Sequence, residues 1–153
     1  MPADYRVVAA HRIVFSRASG DLTFADCAAH MSRLSNDPQF DPAFRQIIDF
    51  TEASLVDLSN DQIRRLATRT IFAADSRRAF VVSSDLQYGL GRVFGTHREL
   101  DGEAPLGIFR TLADAVAWLE IPATVAAEAF AALRTQATAA PSSRPPVRST
   151  RPE

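Results

Sequence analysis

The strongest constraint on the fold is a pattern that occurs four times. A short apolar run is followed by a Ser or Thr with Asp or Gln three residues later, and then by apolar residues at helical spacing. In the clearest case, between Gln46 and Ala67, Ser59 and Gln62 form a capping box, in which the hydroxyl accepts from a free helical N–H and the amide reaches back. The corresponding caps elsewhere are Thr23, Ser84 and Thr111. Four strand-to-helix junctions are therefore predicted.

The strands that lead into these helices are expected to form one mixed, mostly parallel sheet. Residues 5–9 and 13–17 are β-prone runs separated by only three residues, too few for a crossover helix, so they should pair antiparallel. The later runs alternate with helices, and such right-handed crossovers join parallel strands. Ile47 and Ile48 are adjacent, which is typical of a central strand covered on both faces. The prediction is a five-stranded α/β fold, β-β-α-β-α-β-α-β-α, with an added C-terminal helix.

Glycines are expected to mark several features of this arrangement. Gly20-Asp21 should break the second strand, and Gly95 should terminate the third helix. Gly89 and Gly91 lie inside that helix, where each glycine costs about 0.5–1 kcal/mol relative to alanine. The pair indicates that another group lies close to this backbone.

The chain divides into three parts by composition. Residues 1–121 contain all the predicted strands and form the α/β domain. Residues 122–138 form an amphipathic helix whose apolar stripe should cover the domain or meet another subunit, so a homodimer is possible. Residues 139–153 are rich in Pro and Arg and have too few apolar residues to become ordered, so a disordered tail is expected.

Composition disfavours several classes of protein. The formal net charge of −1 creates no general attraction to nucleic acid, and all 17 basic residues are arginine. No apolar run approaches the length of roughly 18 residues that spans a bilayer, and no leader is recognisable, so a cytoplasmic location is expected. The single cysteine, Cys27, excludes an intrachain disulfide and is expected to be an inert core residue.

No catalytic motif is present. The three histidines, His11, His30 and His97, lack metal-ligand spacing, and there is no nucleophile elbow or phosphate-binding loop. The segment 89–95 is one residue away from a dinucleotide fingerprint and falls within a helix. A non-catalytic protein without metal or cofactor is therefore predicted.

Several short motifs resemble the SpoIIAA-like family, small bacterial proteins of STAS-like topology related in shape to CRAL-TRIO lipid-transfer domains. The resemblance extends from about Tyr5 to Leu119. The matching residues are Gly20 to Thr23, Asp49-Phe50 with Ala53, Tyr88-Gly89 with Arg92 and Phe94, and Phe109 with Ala115, Trp118 and Leu119. The resemblance implies a STAS-like fold and a regulatory, protein-binding role.

The resemblance also implies a candidate modification site. STAS anti-sigma-factor antagonists are phosphorylated on a serine of an Asp-Ser-Ser-Gly-Leu motif that opens the helix after the central strand. The segment 57–61 matches this motif at Asp57 and Ser59 and departs from it at the first serine, the glycine and the leucine. Ser59 is thus a candidate phosphoacceptor as well as an N-cap.

Two binding surfaces follow from these predictions. If the strands run parallel, Ser59 lies with Thr23, Ser84 and Thr111 along the carboxyl edge of the sheet, where open α/β sheets bind their ligands. A regulatory module that contacts a protein partner at this edge is the first functional hypothesis.

The alternative is a carrier or sensor of a small amphipathic, lipid-like anion in a groove beside the third helix. Gly89 and Gly91 would open this groove, with Tyr88 and Phe94 as walls and Arg92 or His97 as anion ligands. The competing interpretation is that the glycines permit close helix packing and the aromatic rings belong to the core.

Overall fold

A computed structural model describes residues 2–139. The strands are β1 (Ala3–Val8), β2 (Ile13–Asp21), β3 (Arg45–Ser54), β4 (Arg78–Val81) and β5 (Gly107–Phe109). The helices are α1 (Phe24–Ser35), α2 (Asn60–Thr68), α3 (Asp85–Leu100), α4 (Leu112–Trp118) and α5 (Ala123–Ala139), with a 3-10 turn at Ala9–His11. Apart from Ala139, the predicted disordered tail lies outside the described residues.

The five strands form one sheet in the order β1-β2-β3-β4-β5. β1 pairs antiparallel with β2, because only a short turn joins them. All other neighbouring strands are parallel, and β3 lies at the centre. The predicted element order and mixed, mostly parallel sheet are confirmed.

Helices cover both faces of the sheet. Alternate residues of β2 point to opposite sides, so Ile13 and Phe15 pack with α4 and α5, whereas Ala18 packs with α1, α2 and α3. Three consecutive right-handed crossovers along a sheet with this strand order place their helices on the same face. The sheet therefore has two separate cores. One lies between the sheet and α1–α3, and the other lies between the sheet and α4 and α5.

The predictions for the element ends at Gly20-Asp21 and at Gly95 have different outcomes. β2 ends at Asp21, the second residue of the predicted break, and it stays paired with β3 to that point despite a register shift after Arg17 and the positive φ of 68° at Gly20. α3 continues past Gly95 to Leu100. A Cβ at Gly95 would lie 3.3 Å from Leu106 Cβ, so this glycine permits close packing of the helix.

The C-terminal helix packs onto its own sheet. α5 begins and ends one residue later than predicted. Its apolar stripe lies in the core on the Phe15 face of the sheet. There the Phe130 ring contacts the Phe15 ring edge-on, with 5.4 Å between the ring centroids. Because this stripe is buried within the chain, it gives no support to the predicted homodimer.

Candidate functional site

The predicted caps lie along the carboxyl edge of the sheet, because each follows the end of a parallel strand. Thr23 and Ser59 form complete capping boxes with Asp26 and Gln62. Ser84 and Thr111 accept hydrogen bonds from the backbone N–H groups of Gln87 and Asp114, at 3.1 and 3.2 Å. The cap geometry is thus as predicted, whereas the role of this edge as a binding surface stays a prediction.

Gln87 does not close a box on Ser84 because its side chain turns into the protein. Its Nε2 donates to the backbone oxygens of Phe50 and Ala53, at 3.1 and 2.7 Å. Its Oε1 accepts from the backbone N–H of Ser83 at 2.9 Å. The end of β3 and the start of α3 are therefore tied together by one buried amide.

Two apolar side chains are exposed at the carboxyl edge. Val56, in the loop between β3 and α2, is 73% exposed, and Leu86, in the first turn of α3, is 51% exposed. Ser59 is also exposed, with its hydroxyl accepting from Gln62 N at 3.1 Å. Phosphorylation of Ser59 stays a prediction.

A shallow groove of about 240 Å³ lies on the outer side of α3. Tyr88 and Arg92, two members of the predicted ligand set, line it together with residues of α3 and of the chain around β5. The Arg110 guanidinium lies 5.3 Å from the centre of the Tyr88 ring and pairs with Asp85. The groove borders are polar and open to solvent.

The other members of the predicted ligand set lie elsewhere. Gly91 does not open the groove, because a Cβ there would meet Ile108 Cδ1 at 3.2 Å. Phe94 is buried on the sheet-facing side of α3, where its ring lies 5.2 Å from that of Phe80. Gly89 is exposed, and half-buried His97 does not line the groove. The six residues therefore do not form one site.

A second space, a cavity of about 100 Å³, lies between the sheet and α1–α3. Its walls are mainly apolar, but a row of polar side chains crosses its floor. The row consists of Ser16 on β2, Gln46 on β3 and Arg78 on β4, all buried. Gln46 and Arg78 are register partners, and strand alternation turns both toward α1–α3. We call Ser16, Gln46, Arg78 and the adjoining His30 the polar row.

Hydrogen bonds connect the polar row from end to end. Arg78 donates from Nε and Nη2 to Gln46 Oε1, at 2.9 and 2.7 Å. Gln46 Nε2 donates to Ser16 Oγ at 3.3 Å, and His30 Nε2 lies 3.1 Å from the same oxygen. Every residue of the row is thus held in place by its neighbours.

Arg78 is a buried cation without an acidic partner. Its guanidinium carbon lies 4.5, 5.5 and 6.0 Å from the ring centres of Phe72, Phe94 and Phe80. Burial lowers the pKa of Arg78 well below its ordinary value, and the nearby Arg98 charge lowers it further. Within residues 2–139, no carboxylate forms a salt bridge with Arg78. Aromatic faces attract the charge but do not neutralise it.

The neighbouring charged and titratable groups do not supply a counter-charge. Buried Arg98 pairs with Glu103, so these two charges offset each other. Burial lowers the pKa of His30 to about 4, with smaller lowering by Arg33 and Arg78, and the imidazole is neutral at pH 7. The polar row therefore carries one positive charge.

Cys27, which also lines this cavity, shows no sign of reactivity. Burial, and secondarily the charge of Asp26, raises the pKa of the Cys27 thiol to about 12. The thiol is protonated at pH 7, and the thiolate is the reactive form. This agrees with the interpretation of Cys27 as an inert core residue.

The sequence interpretation missed the polar row, although a signal is present. Gln46 and Arg78 stand immediately before the apolar runs of β3 and β4. Each is two residues before an inward-facing side chain, Ile48 and Phe80 respectively, so period-two counting would have placed both on the buried face.

Two wider features complete the description of the site. In the part of the chain from residue 2 to 139, no cluster of three or more His, Cys, Asp or Glu side chains is arranged to hold a metal ion. No helix in that part combines the length and the apolar character needed to cross a bilayer.

Comparison with known proteins gives a structural likeness. No family model matches the chain, and no curated protein matches it. The chain is similar to the crystal structure of an uncharacterised protein of the DUF3478 family with a SpoIIAA-like fold from Shewanella loihica PV-4. The identity is 22%, with 76% of this chain and 91% of that chain covered and a TM-score of 0.48.

Proposed function

We propose that the protein is a non-catalytic binding module that takes up a small amphipathic anion in the cavity between its sheet and α1–α3. The observation that carries the proposal is Arg78, a buried guanidinium that lines the cavity and has no carboxylate partner among the described residues. The proposal keeps the predicted anion carrier or sensor but moves its site to the inner side of α3.

The energetics of burial support this proposal. Removing a guanidinium from water costs several kcal/mol, and proteins usually offset that cost with a paired charge. Gln46 contributes only a neutral acceptor to Arg78. An anionic ligand would supply the missing charge beside a buried side chain, where electrostatic interactions are stronger than in bulk water, and the apolar walls would hold its hydrocarbon part.

The outer groove is larger than the cavity but is chemically the weaker candidate. Its volume of about 240 Å³ exceeds the 100 Å³ of the cavity. However, Arg92 and Glu99 at the groove are exposed, and ion pairs between exposed groups contribute at most about 1 kcal/mol. Volume alone therefore does not decide between the two spaces.

Ligands that remain bound after purification provide the direct test. Native mass spectrometry of protein prepared without added organic acids should show added mass on the wild type, and denaturation should release a small organic anion. Arg92→Met, which removes an arginine from the outer groove, should keep this ligand, whereas Arg78→Met should lose it.

Two results would contradict binding of an anion in the cavity. If the wild type carries no added mass and a panel of small organic anions fails to raise its melting temperature, the cavity is not a binding site for anions. Retention of the ligand by Arg78→Met would also contradict the proposal.

A second candidate function is contact with a protein partner at the carboxyl edge, as a regulatory module. Exposed Val56 and Leu86 support it, because exposed apolar side chains at one edge favour association. Val56→Ser with Leu86→Ser should abolish binding to a partner identified by cross-linking, whereas Leu100→Ser should not. Leu100 is a matched control because it is 77% exposed at the far end of α3.

A further inference from the structure

We infer that the ligand of the cavity is a short-chain monocarboxylate whose two carboxylate oxygens accept hydrogen bonds from Nη1 and Nη2 of Arg78. This inference rests on the proposed function and narrows it to one chemical class. It follows from the free donors of Arg78, from the charge around it and from the size of the cavity.

The free donors of Arg78 have the geometry of a carboxylate. A guanidinium carries five N–H bonds, and Arg78 directs its Nε–H and one Nη2–H to Gln46 Oε1. The Nη1 group and the second Nη2–H have no hydrogen-bond acceptor among residues 2–139. The edge formed by Nη1 and Nη2 donates two parallel hydrogen bonds to the two oxygens of a carboxylate.

The charges around Arg78 favour a monoanion over a phosphate dianion. Arg98, whose charge acts on Arg78, is already paired with Glu103. Arg98 also belongs to the last turn of α3, and the carboxyl end of a helix dipole disfavours additional negative charge. The helix N-termini, which are the usual phosphate donors, lie at the opposite edge of the sheet, whereas Arg78 is the first residue of β4.

The cavity size limits the hydrocarbon part. An engineered apolar cavity of about 150 Å³ holds benzene, whereas this cavity measures about 100 Å³. Benzene has six non-hydrogen atoms, so by the same comparison this space holds about four or five, the size of acetate or propanoate. The remaining walls include Leu58, Ile63, Leu66 and Leu90, which can surround a short alkyl chain but offer no polar partner for a second head group. A full-length lipid does not fit.

Isothermal titration of the full-length protein with two matched ligand series tests the inference. The chain-length series is acetate, propanoate, hexanoate and dodecanoate, and the head-group series is propanoate, propan-1-ol and propyl phosphate. Acetate or propanoate should bind. Propan-1-ol lacks the carboxylate, propyl phosphate carries a dianionic head group, and hexanoate and dodecanoate exceed the cavity, so each of these should bind at least about tenfold more weakly.

Variants separate the head-group site from the tail site. Arg78→Met should abolish propanoate binding, and Arg78→Lys should weaken it at least about tenfold, because lysine keeps the charge but loses the planar fork. Cys27→Leu should also weaken binding by narrowing the cavity while Arg78 stays intact, so the test does not depend on one variant being folded. Arg92→Met is the surface control and should bind like the wild type.

The outcomes distinguish this inference from the proposed function. Tighter Arg78-dependent binding of propyl phosphate, hexanoate or dodecanoate than of propanoate overturns the inference and leaves an anion-binding module. Equal binding of propan-1-ol and propanoate overturns the assigned role of Arg78. Failure of every anion in both series to bind overturns the inference and counts against the proposed function as well.

Discussion

The carboxyl edge of the sheet and the polar row under α1–α3 differ in how their polar groups are satisfied. At the edge, the hydroxyl of Ser59 and the amide of Gln87 bond to nearby backbone groups, so the helix starts are largely saturated from within the chain. In the polar row, Arg78 has one neutral acceptor and no counter-charge within residues 2–139. The helix starts at the carboxyl edge therefore have their hydrogen-bond partners within the chain, whereas the unpaired buried charge of Arg78 lies toward the other end of the strands.

The surroundings of the two regions make this difference larger. Side chains at the edge are exposed, and water screens their charges. Arg78 is only 8% exposed, so each gained or lost partner changes its energy strongly. Substitutions in the polar row should thus have larger effects than substitutions on the outer surface.

Acid should destabilise the protein through His30. The folded-state pKa of His30 is about 4, below its ordinary value of 6.5, because burial disfavours the charged ring. Between these pH values the unfolded chain binds more protons, so this contribution to stability is complete above pH 6.5 and is lost as pH falls towards 4. The loss should reach about 3 kcal/mol in the free energy of unfolding.

Denaturant titrations at several pH values, compared between wild type and His30→Asn, isolate this effect from the carboxylates. Asparagine can still hydrogen-bond to Ser16 but does not titrate. The Tyr5 ring contacts the His30 ring edge-on, and Arg33 and Arg78 are the charged groups that lower the pKa of His30. Identical pH slopes in the two proteins would refute the assignment.

The second prediction tests the partner of Arg78. Gln46→Leu should lower the free energy of unfolding by about 2 kcal/mol, because it removes the only protein acceptor of a buried charge in the described region. Adding Arg78→Met should recover most of this loss, since apolar residues of similar volume replace buried charges at little cost. A double-mutant cycle in denaturant measures the coupling, and additive losses would contradict it.

The third prediction concerns the carboxyl edge. Ser59→Ala should lower the free energy of unfolding by about 1 kcal/mol, because the N3 amide of α2 loses its acceptor. Ser59→Asp should be nearly neutral, since aspartate also caps helices. Neither change should alter anion binding in the cavity, and a lost ligand in Ser59→Ala would link the two regions.

The smallest effect is expected on the outer side of α3. Gly89→Ala should raise the free energy of unfolding by about 0.5–1 kcal/mol, because a Cβ there meets no atom within 4 Å. Gly91→Ala should gain less, because its Cβ would lie 3.2 Å from Ile108 Cδ1. Thermal unfolding of the two variants provides the comparison, and equal gains would show that Ile108 moves freely.

The successful predictions depend on short-range chemistry. The capping residues, the hairpin and the parallel crossovers are encoded within about one strand and one helix each, so local spacing reveals them. The prediction for Gly95 failed because the reason for the glycine is contact with Leu106, which belongs to the approach to β5. The predicted ligand residues do not form one site because they lie on different faces of α3. Which face is buried depends on where β5 and the sheet pack against the helix, and local spacing does not reveal this.

The sequence by itself determined the order of elements, the direction of the strands and the saturated helix starts, since each depends on neighbours in the chain. Only the tertiary structure decided which polar residues meet. Ser16, Gln46 and Arg78 are 30 and 32 positions apart and become neighbours through the pairing of three strands. Strand register brings together residues that the chain keeps apart, and the packing of the sheet and helices leaves Arg78 buried.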